Sequence, residues 1–340
     1  MTRVISFGEI MLRLSAPGYQ RFMQTQSLDV TYGGGEANVA VSLAHFDLDS
    51  CYVTKVPDNL LGQCAINHLR RYGVNTDFIV KGGNRLGVYF LETGASQRPS
   101  QVVYDRTGSA IAEAEPQEFV WKEMLRDAHW FHVTGITPAL GDNAAQATLD
   151  ACREAKEAGV TVSCDLNYRK KLWSQEKARS VMTELMPYVD VAIANEEDAE
   201  KVFGIKAPDS DIESGVLDID GYCRVAQELQ ENFDFKSVGI TLRESYSASD
   251  NGWSGLLYVD QKFYRSRRYE IRIVDRVGGG DAFAAGLIYG FLNQLPPQEI
   301  IEFASASSCL KHTVPGDFNM VSVEEVKRLA EGKSSGRVQR

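Results

Sequence analysis

Short apolar runs separated by stretches of helical periodicity constrain this 340-residue chain more than any other feature. The runs are Val4–Phe7, Trp130–Val133, Val160–Cys164, Val189–Ala192 and Val238–Leu242. Between them, Glu36–His45, Asn143–Ala158 and Ser174–Met186 carry apolar residues at helical spacing. This alternation predicts an α/β fold with a mostly parallel central sheet and helices on both faces. In such sheets ligands collect at the carboxyl ends of the strands.

Two regions break that rhythm. Met11–Tyr32 and Gly87–Arg106 alternate polar with apolar residues and show no helical pattern. Val88–Glu92 and Gln101–Arg106 read as antiparallel strands, joined by a turn that contains Gly94 and Pro99. A small β-sheet emerging from the main domain accounts for both regions, with lid segments at about 11–32 and 87–106. Val88, Phe90, Leu91 and Val103 are expected on its outer face, where a second lid can pair with it to form a homodimer. The main domain is expected to span 1–325, and the polar tail 332–340 to be loose.

Acidic residues (46) exceed basic ones (36), for a formal charge of −10. That sign disfavours nucleic acid and anionic membrane surfaces as partners. The longest apolar run, Ala282–Leu292, is far short of the about 20 residues a spanning helix needs. Arg3, Glu9 and Arg13 exclude a signal peptide at the start. Six cysteines, none in a C-x-x-C pair, are expected as reduced thiols in a cytoplasmic protein. The five histidines show no metal-ligand spacing, and no G-x-S-x-G marks a hydrolase.

The strongest local signal is Asp275-Arg276-Val277-Gly278-Gly279-Gly280-Asp281, running into the apolar stretch Ala282–Leu292. Glycines let backbone amides converge on one point, and a helix start adds partial positive charge, so the pair makes an anion site. A carboxylate at Asp281 can take the proton of an attacking hydroxyl while the amides hold the transferring phosphoryl group. Taken alone, Asp281 reads first as a helix N-cap after a flexible loop. A second cluster, Gly33-Gly34-Gly35-Glu36-Ala37-Asn38, opens another helix. Asn38 there suits a hydroxylated ligand, or else is an exposed residue after a tight turn. The phosphate-loop and dinucleotide fingerprints are both incomplete.

A glycine pair followed by asparagine near residue 35, together with a late G-x-G-D, resembles the ribokinase-like (PfkB) carbohydrate kinases over roughly residues 1–325. The resemblance implies a ribokinase-like sandwich with a β-sheet lid, and ATP with Mg2+ as cofactors. It makes Asp281 the catalytic base and Gly278, Gly279 and Gly280 the anion hole. It turns Gly34, Gly35 and Asn38 toward the sugar, and Asn167, Asn195 and Arg243 toward the nucleotide. Three positions depart from the family pattern. Asp198 stands for the usual glutamate, Arg276 for a common threonine, and Thr241-Leu242-Arg243-Glu244 for a Lys-x-Gly strand.

Arginines carry the substrate reading. Tyr104 and Arg106 are two apart and share a strand face. Arg169, in Asp165-Leu166-Asn167-Tyr168-Arg169, follows a strand at its ligand-side end. A carboxylate is bound bidentately by guanidinium groups, whereas a neutral sugar needs none. Each arginine by itself is equally a solvated surface charge. With Tyr89, these segments are similar to the 2-keto-3-deoxygluconate kinases, which implies that Tyr89, Tyr104, Arg106 and Arg169 contact a sugar acid. A fructokinase or ribokinase type, a nucleoside kinase and a non-catalytic sugar-acid sensor are the alternatives.

Overall fold

The computed structural model describes residues 2–195, 197–206 and 218–333. From residue 334 the expected tail lies outside the described residues. The chain opens with β1 (Arg3–Phe7), β2 (Met11–Ser15) and β3 (Asp29–Gly33), then α1 (Gly35–His45) and β4 (Asp49–Val56). α2 (Leu60–Arg71), β5 (Ile79–Lys81), β6 (Gly87–Glu92) and β7 (Gln101–Asp105) follow. Next come α3 (Trp121–Met124), β8 (Trp130–Thr134), α4 (Asp142–Glu157), β9 (Thr161–Asp165), α5 (Gln175–Leu185) and β10 (Val191–Ala194). α6 (Asp198–Phe203), α7 (Ile219–Phe233) and β11 (Ser237–Ser245) precede three further strands, β12 (Asp250–Val259), β13 (Lys262–Arg265) and β14 (Tyr269–Arg272). Three helices close the described chain: α8 (Gly279–Leu292), α9 (Pro297–Lys311) and α10 (Val323–Ala330).

The large sheet runs β13-β12-β11-β10-β9-β8-β1-β4-β5, with β14 paired to β12. It is parallel from β11 to β5, and β12 turns antiparallel. Chain order reverses at β1, which lies between β8 and β4, so a crevice opens there at the carboxyl ends of the strands. α4, α5, α6 and α7 bury their apolar faces on one side of the sheet, in a core that includes Ala151, Met182, Val202 and Val225. α1, α8, α9 and α10 cover the other side, around Leu43, Phe283, Ile301 and Val326. No helix among the described residues is long and apolar enough to cross a membrane.

Two strands, β9 and β10, sit one or two residues downstream of their sequence estimates. β10 starts at Val191 rather than Val189, because Met186–Tyr188 forms a turn of 3-10 helix and Asp190 is an anchor. The Asp190 carboxylate accepts from the Val162 amide at 2.9 Å and from Lys156 Nζ at 2.8 Å. Asn195 therefore follows its strand directly. α8 also begins earlier than Ala282. Gly279 and Gly280 form its first turn, Gly278 is its cap residue, and Asp281 is its third residue rather than an N-cap.

The two irregular regions meet in one separate sheet of order β3-β2-β6-β7. β6 and β7 are antiparallel, as expected, while the central β2–β6 pair is parallel. One outward assignment is corrected. Leu91 is buried with Met11 and Tyr89, on the inner face. It is two residues from Tyr89 and so shares its side of the strand, whereas Val88 and Phe90 lie on the other.

Candidate active site

A cavity of about 450 Å³ opens at the carboxyl ends of the central strands, beneath the small sheet. Every residue that the sequence singled out as catalytic, sugar-binding or nucleotide-binding lines it.

The end of the cavity at the start of α8 is made of backbone. Gly278 has φ 86, in the left-handed region where glycine costs least, and a Cβ there would overlap the Asp317 carbonyl oxygen. A Cβ on Gly280 would meet nothing within 4 Å, so that side of the turn faces open space. The first amides of a helix have no partner within it; Gly279 and Gly280 line the cavity, and the Gly279 amide donates to the Arg276 carbonyl at 3.4 Å. α8 is buried along almost its whole length, which fixes the direction of its amino end. Ser308 Oγ donates to the Gly279 carbonyl at 2.6 Å and Ser307 Oγ to that of Ala282 at 2.9 Å, so α9 braces the turn from behind.

Asp281 Oδ2 accepts from Asn38 Nδ2 at 2.6 Å, and Asn38 Oδ1 accepts from the Gly34 amide at 3.2 Å. The amino ends of α1 and α8 are thereby joined through one carboxylate. Burial pushes the Asp281 carboxyl up to about 6; the Asn38 hydrogen bond opposes the shift and the charge of Asp317 adds to it. A base with that value is mostly ionised at neutral pH and still accepts a proton readily. Gly34 is required by close approach, since a Cβ there would overlap the Glu9 carbonyl oxygen. Below it, Glu36 Oε1 accepts from the Thr134 amide at 3.0 Å, Thr134 Oγ1 at 2.8 Å and Thr137 Oγ1 at 2.6 Å. These bonds tie α1 to the end of β8. Burial lifts the Glu36 carboxyl to about 7 against them.

The opposite end is made of side chains. Tyr89 and Tyr104 face each other across β6 and β7, with ring centroids 5.8 Å apart. The Arg106 guanidinium lies 5.6 Å from the Tyr104 ring centroid. Arg106 is buried and already engaged: its Nε donates to Glu9 Oε2 at 2.7 Å, and one Nη contacts the same oxygen. Arg169 is exposed and donates to the Tyr168 carbonyl at 3.2 Å. Tyr89 Oη donates to Asp317 Oδ2 at 2.5 Å. Arg13 on β2 bonds Asp317 Oδ1 at 2.6 Å and Asp275 Oδ2 at 2.5 Å. This buried group clips the small sheet to the loops on either side of α8 and α9.

Between the ends lies a polar wall. Asn195 Oδ1 accepts from the amides of Glu197 at 2.8 Å and Asp198 at 3.1 Å. Asp198, where the family pattern has glutamate, accepts from the amides of Tyr168 at 2.9 Å and Asn195 at 3.1 Å, linking the loops after β9 and β10. Asn167 has φ 38, a region asparagine tolerates, and its Nδ2 reaches Asp165 Oδ2 at 3.4 Å. Burial and the neighbouring Asp198 and Asp281 raise the Asp165 carboxyl well above its ordinary value. Arg243 and Arg276 stand on the β11 side of the cavity. Burial first, then the charge of Arg243, pulls Arg276 below the ordinary arginine value. Among the described residues, no three His, Cys, Asp or Glu side chains cluster to hold a metal.

No sequence motif assigns a site role to Glu9, Arg13 or Asp317. Glu9 and Arg13 lie two and six residues beyond Phe7, the end of β1, and Asp317 lies beyond α9. Only folding brings them to Arg106 and Tyr89.

The chain matches the pfkB family carbohydrate kinases over residues 1–323. It belongs to that family. The protein is thus a carbohydrate kinase with the ribokinase-like fold. It is 35% identical to a 2-dehydro-3-deoxygalactonokinase of Haloferax volcanii over 334 residues, 98% of each chain. It is 25% identical to a 2-dehydro-3-deoxygluconokinase of Bacillus subtilis, covering 94% of this kinase and 93% of the relative. The crystal structure of a 2-dehydro-3-deoxygluconokinase from Thermotoga maritima superposes with a TM-score of 0.95 at 55% identity. That match covers 98% of this kinase and 100% of the other chain.

Proposed function

We propose that this kinase transfers the γ-phosphoryl group of ATP to the terminal hydroxyl of 2-keto-3-deoxygluconate (the 2-dehydro-3-deoxygluconate of its relatives' names), giving the 6-phosphate. The observation that carries the reading is that Arg106 and Arg169, 63 residues apart in sequence (169 − 106), line the same cavity as Asp281. A carboxylate at one end of the substrate lies against the arginines and tyrosines, and the hydroxyl at the other end reaches Asp281. Asp281 takes the hydroxyl proton as the oxygen attacks phosphorus, and Asn38 holds the carboxylate in place. The amides of Gly278, Gly279 and Gly280 receive the charge that gathers on the phosphoryl oxygens. Gly34 and Gly35 line the part of the cavity the sugar would occupy, with the Gly34 backbone packed on the Glu9 carbonyl. Arg243 and Asn195 border the space left for the nucleotide, with Arg276 beside them.

The wall of Asp165, Asn167 and Asn195 offers hard oxygen donors of the kind Mg2+ takes. Bound there with the nucleotide, Mg2+ would neutralise phosphate charge. ATP and the reduced state of six free thiols both fit the cytoplasm. A homodimer through the small sheet follows from exposed Val30 and Val103 and half-buried Val88 and Phe90; sedimentation of the purified protein tests it.

One observation favours a second reading. Arg106 already has a carboxylate partner in Glu9, and an arginine occupied in that way serves a neutral-sugar kinase equally well. A screen coupled to ADP release separates the two. It should include both 4-epimers of the 2-keto-3-deoxy acid, fructose and ribose. The sugar acids should show the higher kcat/KM, and a higher value for either neutral sugar would give the second reading the lead.

A further inference from the structure

We infer that Lys311 is a positioning residue: a resident cation behind the phosphate turn, whose charge draws the transferring phosphoryl group onto the Gly278–Gly280 amides. The inference rests on the assignment of that turn as the phosphate site. Lys311 ends α9 and is fully buried, which is rare for a lysine unless it is paired. Among the described residues it forms no salt bridge. Its Nζ donates only to backbone, to the Asp275 carbonyl at 3.4 Å and the Val314 carbonyl at 3.3 Å. The stem passes under Gly278, where a Cβ would lie 3.0 Å from Lys311 Cε. Lys311 does not line the cavity, so it acts through the turn and not on the ligand directly.

The charged groups that face it are Asp275, Asp317, Asp281 and Arg13. Asp275 and Asp317 are both held by Arg13, so neither neutralises the ammonium by contact. A brace for the turn requires no charge, since Ser307 and Ser308 supply it with neutral hydroxyls. Burying an ammonium is costly, and an apolar residue of similar volume often serves the fold as well or better. A fold that keeps the lysine there gains something other than packing. Positive potential at the one point where phosphoryl charge gathers is that gain.

The test is steady-state kinetics with ATP and the sugar acid on Lys311→Gln and Lys311→Met, alongside thermal unfolding. Gln keeps donors for the two carbonyls without charge, and Met keeps the volume. Both should lose about 10–100-fold in kcat, the scale of one charge acting in a partly dry site. KM for the sugar acid should stay within about twofold, and Lys311→Met should melt no lower than wild type. Wild-type kcat in the Gln variant overturns the inference, as does a kcat loss that only tracks loss of folded protein, or a failure of both variants to fold. Gly280→Ala, made in parallel, tests the turn itself by placing a methyl in its open side. Wild-type turnover there would overturn the assignment of the turn. Loss there with an unaffected Lys311→Gln would overturn only the resident cation.

Discussion

The two ends of the cavity are built by different means. The end proposed to hold phosphate is backbone, presented by a helix buried along almost its whole length and braced by a second one. The sugar end is side chains on a separate four-stranded sheet, clipped to the main domain by Arg13, Asp275, Asp317 and Tyr89. Backbone amides bind any phosphoryl group in the same way, so the first end suits a reaction shared across many substrates. Side chains are exchanged one at a time, so the second end is where a substrate is chosen. The proposed reading therefore makes chemistry and specificity separable, and perturbing each end should give a different signature.

The largest effect is expected at the phosphate end. Asp281→Asn should lower turnover by about 10²–10⁴-fold while sugar-acid binding persists, the range for a lost general base. Stability should move the other way. The Asp281 carboxyl is lifted from 3.8 to about 6, so its contribution to folding is complete below pH 3.8 and is lost as pH rises through 6. Asparagine has no such loss. The variant should therefore melt above wild type at pH 8, and the gap should shrink toward pH 5. Near-wild-type turnover would remove Asp281 from the mechanism.

A smaller effect follows from the same carboxyl. Below about pH 6, kcat/KM should fall about tenfold per pH unit as Asp281 takes up its proton. The residual turnover of Asp281→Asn should lack that limb. A wild-type profile that is flat down to pH 5 would contradict the assignment.

The smallest effect concerns the sugar end. Saturating sugar acid should slow hydrogen exchange across 87–106 several-fold, since this sheet forms the wall that the ligand covers. Exchange at the α8 amides should change little, because that helix is already buried. Equal protection in both regions, or none in 87–106, would break the comparison.

The phosphate end was legible in the sequence because backbone geometry needs contiguous residues. Gly278–Gly280 and Asp281 stand together, and with the second cluster Gly33–Asn38 they form a pattern that the N-cap reading of Asp281 alone does not explain. The half-readable sugar end shows the limit. Tyr104 on β7 and Arg106, which falls just past the strand's end at Asp105, are near neighbours in sequence, but the Glu9 that engages Arg106 is 97 residues away. The Asp317 that engages Tyr89 is 228 residues away. No local spacing encodes such pairs, since they arise from the crossing of two sheets. The strand-face error at Leu91 has a related cause. Four apolar residues in a row, Val88–Leu91, hide the two-residue period that a burial pattern reveals at once. Lys311 was unreadable for a third reason: a lysine at the end of a helix is ordinarily solvated.

The carboxylate clamp tests the central claim most directly, that specificity lives in the side chains of the sugar end. The measurement is binding of the sugar acid and of a neutral analogue lacking the carboxylate to wild type, Arg106→Ala, Arg169→Ala and the double variant. Each single change should weaken acid binding about 10–100-fold, from a lost charge-assisted hydrogen bond of roughly 1.5–3 kcal/mol. The neutral analogue should be little affected, and the double change should be less than additive for the acid because both groups serve one carboxylate. Equal penalties for the acid and the neutral analogue would contradict the account, leaving Arg106 as a structural partner of Glu9 and Arg169 as a surface charge.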